Sequence, residues 1–90
     1  MSQFKLPRRV DFENLMALRL AGERHIDAQA EPEFDLSELQ EANSAGVALL
    51  VAWFRYAHVH GKVVAFQGVP NPLMNIIEVS ELAAVLPLTT

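Results

Sequence analysis

Asp35-Leu36-Ser37-Glu38-Leu39-Gln40-Glu41-Ala42-Asn43-Ser44-Ala45-Gly46-Val47-Ala48-Leu49-Leu50 runs from an extended segment, through a polar loop, into the most apolar part of the chain. Just upstream, Glu33-Phe34-Asp35-Leu36 alternates so that Phe34 and Leu36 share one side, the period of a short strand. Downstream, Val47, Leu50, Val51, Phe54 and His58 recur at helical spacing. Ser44 stands just ahead of them as an N-cap whose hydroxyl would accept from the amide of Gly46 or Val47, and Gly61 can end the helix at positive φ. Leu49, Trp53 and Tyr56 form a second apolar stripe on this helix. Two apolar sides need two covers: the sheet, and either the neighbouring helices or a partner subunit.

Toward the N-terminus, Phe4-Lys5-Leu6 reads as a strand stopped near Pro7. Asp11 is the expected N-cap of a helix from Phe12 to Arg24, with Val10 and Leu15 as a hydrophobic staple and Phe12, Leu15, Leu18 and Gly22 on one face. Ile26 to Pro32 reads as a loop. Toward the C-terminus, Lys62-Val63-Val64-Ala65-Phe66-Gln67 has the near-continuous apolar character of a strand buried on both faces, closed by Gly68. Asn71 as N-cap and Pro72 as first helical residue open a last helix with Leu73, Ile76, Ile77 and Ser80 inward, and Val85-Leu86 before Pro87 reads as an edge strand. Strand, helix, strand, helix, strand, helix predicts right-handed crossovers: an α/β fold with a mostly parallel sheet and helices packed on it. No repeat or linker divides residues 1–90, so one domain is expected.

Composition narrows the function classes. A net charge of -4 supplies no basic face for a phosphate backbone, which argues against nucleic acid. Cysteine is absent, so no disulfide or thiolate metal site is expected. The N-terminus has no signal-like apolar stretch, and the longest apolar run, Ala45 to Phe54, is half the roughly twenty residues a spanning helix needs. The expected location is cytoplasmic, with membrane association only through another protein.

The segment from Asp35 to Leu50, with Asp-Leu-Ser ending a strand and Asn43-Ser44-Ala45-Gly46 opening an apolar helix, resembles the central motif of STAS domains, the family of sulfate transporters and anti-sigma-factor antagonists. The resemblance extends from Phe4 through Gly61 and the strand to Phe66. In Phe66-Gln67-Gly68-Val69 and Val85-Leu86-Pro87 it is most similar to the B subunit of the Mla phospholipid-transport system. It implies a STAS-type fold and a non-catalytic subunit that binds the cytoplasmic ATPase of an ABC complex maintaining outer-membrane lipid asymmetry. The chain would then lie peripheral to the inner membrane through that partner. The alternative it implies is an anti-sigma-factor antagonist whose partners are an anti-sigma factor and a serine kinase.

Ser44 aligns with the family's Ser/Thr, the phosphate acceptor in the antagonists and an ATPase contact in the transporter subunit. The resemblance makes Asn43, Ala45, Gly46, Gln40, Glu41, Arg8 and Arg9 its partner-binding surroundings, with Gly46 leaving room for a partner backbone. Two departures stand beside it. Asn43 replaces the family's usual Asp, which removes a charge next to the acceptor and tilts the reading toward the transporter subunit. Arg8 and Arg9 stand where Gly and Glu are usual. The family's usual first strand would precede Phe4, so an open sheet edge is also expected there, and a homodimer through that edge or the Trp53 stripe stays open.

Other chemistry finds little support in the residues. His58 and His60, two apart, point some 200° from each other on a helix and cannot share a metal, and His25 is distant. Glu31, Glu33, Asp35, Glu38 and Glu41 have no basic residue placed to form a catalytic pair. No phosphate-cradling or nucleophile-elbow motif is present, so neither an enzyme nor a bound cofactor is expected.

Overall fold

Phe4, Phe34 and Phe66 lie in one row across three parallel strands and fix their register. The computed structural model describes residues 3–79 and 86–87. Its elements are β1 (Phe4–Lys5), β2 (Arg9–Val10), α1 (Leu15–Ala28), β3 (Glu33–Asp35), β4 (Glu41–Ala42), α2 (Ser44–Val59), β5 (Ala65–Gln67) and α3 (Asn71–Val79). The sheet has the order β1-β3-β5, and β2 pairs separately with β4, again in parallel. The parallel sheet with helices packed on it is the architecture the alternation of elements predicts.

The phenylalanine row faces the helices. Phe34 stacks on Trp53 of α2 with ring centroids 4.2 Å apart, Phe4 meets the Trp53 edge, and His25 of α1 stands edge-on to Phe34. Leu6 and Leu36, two residues beyond Phe4 and Phe34, extend the same buried side. Gly22 lets α1 approach α2, because a methyl group there would fall inside the Trp53 indole. The indole Nε1 then donates to the carbonyl of Arg19 at 3.1 Å, so the one polar atom of this core side chain is satisfied.

Several expectations change here. The first helix begins at Leu15, not Phe12, and runs on to Ala28, so Ile26, expected in a loop, is a fully buried helical residue. Asp11 still acts as a cap, but for the turn ahead of the helix: its Oδ1 accepts from the amides of Glu13 and Asn14. Phe12, expected inward, is 67% exposed because it falls in that turn. On α2 the deepest residues are Leu49, Leu50 and Trp53, while Phe54 is half-buried and His58 exposed. The Trp53 stripe is covered by α1 and the sheet of the same chain, which removes it as a dimer surface.

The segment 62–67 is a strand only over Ala65–Gln67, and it is buried on one face, with Phe66 inward and Ala65 and Gln67 half-buried. Lys62 instead closes α1, its Nζ donating to the carbonyls of Ile26 and Asp27 at 2.6 and 3.0 Å, where a cation meets the negative end of the helix dipole. Gly61 and Gly68 take φ of 71° and 70°, which ends α2 and β5 as expected. In α3, Asn71 is the first helical residue and Pro70 supplies the carbonyl that accepts from Met74, so the start lies one residue ahead of the Asn71 cap expected. Leu73 and Ile77 face inward. Pro87 accepts from the Phe66 amide, placing Leu86-Pro87 beside β5; Val85 and Ser80 lie outside the described residues.

Candidate functional site

The loop before α2 is pinned by a pairing the sequence did not announce. Arg8 O accepts from the amides of both Gln40 and Glu41 at 2.8 Å, and β2 then pairs with β4 in the register Arg9↔Glu41 and Val10↔Ala42. The Arg8 guanidinium donates to Gln40 Oε1 at 3.0 Å, and Arg9 Nε reaches Asp11 Oδ2 at 2.6 Å. The two arginines are thereby fixed beside the start of α2. Around them lies an open hollow of about 450 Å³ lined by Arg9, Asp11, Gln40, Glu41 and Asn43.

Asn43, not Ser44, is the N-cap of α2. Its Oδ1 accepts from the Ala45 amide at 2.8 Å and its carbonyl accepts from Gly46 N at 2.9 Å. Ser44 is therefore the first helical residue, exposed, and among the described residues its hydroxyl holds no hydrogen bond. The shift has a chemical consequence: because the Asn43 side chain performs the capping, the Ser44 hydroxyl is not used by the helix start. Asn43→Ala should cost about 1 kcal/mol through loss of the cap, whereas Asn43→Asp keeps the acceptor and gains about 0.3–1 kcal/mol from a negative charge at the positive helix end. Urea unfolding of the two variants checks both signs.

The structure thus brings Arg8, Arg9, Gln40, Glu41, Asn43 and Ser44 to one surface. Ala45 and Gly46 are buried beneath it. The space at Gly46 is used internally, since an added methyl would lie 3.3 Å from both Ala42 and Leu73, so Gly46 admits α3 and does not admit a partner backbone. What sequence reasoning missed is the β2–β4 pair. Its only trace was the departure at Arg8 and Arg9, since two-residue strands carry too little periodicity to be read.

Carboxylates frame both loops. Asp11 is held below the ordinary aspartate value of 3.8 chiefly by the Asn14 amide, with Glu13 N and Arg9 adding to it against desolvation. Asp35, whose Oδ1 accepts from Ser37 N at 2.9 Å, is lowered first by its hydrogen bonds with Ser37 and also by Lys5, against desolvation. Both folded values lie below the unfolded ones. Their stabilisation is therefore fully present above about pH 4 and is lost as pH falls through the folded values. Thermal unfolding followed from neutral pH downward should show the midpoint dropping in acid, and Asp11→Asn or Asp35→Asn should each flatten that acid limb.

Among the described residues no group of three His, Asp or Glu is placed to hold a metal. His58 stacks on Phe54, and His60 stacks on Tyr56 with its Nδ1 2.7 Å from the Tyr56 carbonyl, so each imidazole is engaged locally. No described helix is long and apolar enough to cross a membrane.

A family model described as "Mlab, STAS domain" matches residues 3–88. No curated protein sequence matches the chain. Among solved structures, the unphosphorylated anti-sigma factor antagonist SpoIIAA is similar with a TM-score of 0.74 at 16% identity, over 96% of this chain and 76% of that one. An anti-sigma-factor antagonist (STAS) domain protein from Planctomyces limnophilus gives 0.74 at 15% identity, over 93% and 77%. The phosphorylated form of SpoIIAA, a Bacillus cell fate determinant, gives 0.70 at 16% identity, over 96% and 79%. At these identities the likeness is one of fold.

Proposed function

This chain belongs to the STAS domain family, and from that membership we propose that it is a single non-catalytic domain that binds and stabilises the cytoplasmic ATPase of a phospholipid-transport ABC complex. The observation that carries the reading is the state of Ser44: exposed, first in a sixteen-residue helix, its hydroxyl unbonded because Asn43 supplies the cap. Arg8, Arg9, Gln40 and Glu41, held by the β2–β4 pair, give that serine a preorganised polar rim, which lowers the ordering cost of binding. The transporter partner follows the resemblance of Phe66-Gln67-Gly68-Val69 and Val85-Leu86-Pro87 to the B subunit of the Mla system, and the matching family model is described as Mlab. Association with the inner membrane then comes through the ATPase, from the cytoplasmic side. Co-purification with the ATPase of such a complex tests this reading: wild type should retain it and Ser44→Arg should not, while a stable complex with Ser44→Arg would overturn it.

A second reading has its own support. The unbonded Ser44 hydroxyl lies at the positive end of α2, where a phosphate is well accommodated, and the similar folds include phosphorylated SpoIIAA. On this reading the chain is an anti-sigma-factor antagonist released from its partner by a serine kinase. Intact-mass measurement of the protein from its native cells, across growth stages, should then find one added phosphate removed by Ser44→Ala. A permanently unmodified chain would exclude the switch and leave the transporter reading standing.

A further inference from the structure

Arg8, Arg9, Gln40, Glu41, Asn43 and Ser44 make a surface that is polar at every position, whereas a protein interface is held by an apolar centre inside such a rim. Apolar ground begins one turn along α2. Ala48 follows Ser44 by four residues and Ala52 by eight, so both continue the Ser44 side of the helix, about 6 and 12 Å further on. Facing them are Phe12 and Met16, 67% and 58% exposed, and the half-buried Leu15. Together with Arg19 these side chains line a hollow of about 280 Å³ between α2 on one side and α1 with its preceding turn on the other. The turn also ties the hollow to the polar rim. Phe12 follows Asp11, whose Oδ2 takes Arg9 and whose Oδ1 accepts from the amides of Glu13 and Asn14, so one hydrogen-bonded turn places both the Arg9 guanidinium and the Phe12 ring at the surface.

The chemistry of the hollow selects what enters it. Among the described residues Arg19 is the one charged side chain lining it, and its Nε is already paired with Glu23 Oε2 at 3.0 Å, so an entering carboxylate would compete for a committed cation. An uncharged apolar side chain meets no such competitor. The alanines at 48 and 52 leave depth for a large one, and the unbranched Met16 adjusts its rotamer around it. We propose, resting on the reading that this chain binds an ABC ATPase at Ser44, that the ATPase segment docking there carries a large apolar anchor, aliphatic or aromatic, which fills the hollow between Phe12, Met16, Ala48 and Ala52. The polar rim around Ser44 then sets orientation, and the anchor supplies most of the affinity.

Titration of the full chain with the purified ATPase tests the anchor separately from Ser44. Phe12→Ala and Met16→Ala should each weaken binding roughly tenfold, and Ala48→Arg, which blocks the hollow, should weaken it at least about 100-fold. Leu20→Ala, an exposed change on α1 outside the hollow, should leave binding unchanged. Circular dichroism should find all four variants folded, since every altered position is exposed. In the wild type, the Met16 ε-methyl resonance should shift as ATPase is added and saturate together with the Ser44 amide. Binding lost with Ser44→Arg but kept by Phe12→Ala, Met16→Ala and Ala48→Arg would overturn the anchor and leave the Ser44 surface standing, as would a Met16 methyl unmoved at saturation. A wild type that binds no ATPase would overturn both. A dimer seen in sedimentation equilibrium and abolished by Ala48→Arg, with ATPase binding intact, would give the hollow to a second copy and overturn the anchor.

Discussion

Trp53→Ala is expected to destabilise the protein by about 3–5 kcal/mol, which in a domain of this size lowers the thermal midpoint by roughly 15–30 °C. The indole is fully buried, stacks on Phe34, meets Phe4 and fills the gap left by Gly22 between α1 and α2. Its removal opens a cavity at the one point where both helices and the sheet meet, and leaves the Arg19 carbonyl without its indole donor. A domain of this length has only about 5–13 kcal/mol of stability in total, so the variant should retain a small fraction of it. Urea denaturation compared with Trp53→Phe measures the two contributions. The phenylalanine keeps an aromatic stack and should lose about 1–2 kcal/mol, from reduced volume and the missing hydrogen bond. Equal stability of the two variants would show that the stack on Phe34 contributes little.

Ser44→Arg is expected to weaken partner binding at least about 100-fold while changing stability by no more than about 0.5 kcal/mol. Both halves follow from the same geometry. Ser44 is exposed and performs no cap, so the fold does not use its hydroxyl. An arginine there adds a long cation beside Arg8 and Arg9, which crowds the surface and reverses its chemistry toward any group that a serine would accept. Titration calorimetry with the purified partner, alongside urea unfolding of the free variant, separates the two. A variant that lost both binding and stability would place Ser44 in the fold and not in the interface.

The parts of the fold legible in the sequence were those with enough periodicity to bear reading. The Phe34 strand, the long helix after Asn43, its stop at Gly61 and the parallel order all lie where the pattern put them. What the pattern misjudged has local causes. The stripe containing His58 looked like the core of α2, but Gly22 lets α1 cover Trp53 instead, a contact between residues 31 apart that no local period records. The Lys62–Val64 run looked like strand because it is apolar, yet Val63 is 82% exposed and Lys62 is committed to the end of α1.

The candidate surface was legible for a different reason. Its motif lies at a helix start, where side-chain chemistry is tied to backbone geometry, and the surroundings of Ser44 were found together for six of the eight residues named. The two exceptions, Ala45 and Gly46, are buried, Gly46 against Ala42 and Leu73 of α3. The assignment of the cap to Asn43 and not Ser44 rests on one hydrogen bond, and Ser and Asn serve equally well in that role by type.

Recognition of a protein through the surface around Ser44 is the proposal on which the function rests. Backbone amide chemical shifts of the isotope-labelled protein, followed as purified ABC ATPase is added, test it most directly. Saturable shifts concentrated at Arg8, Arg9, Gln40, Glu41, Asn43 and Ser44 are expected, with the far end of α2 near Val59 unmoved. Saturable shifts that leave those six residues unchanged and fall elsewhere would contradict it.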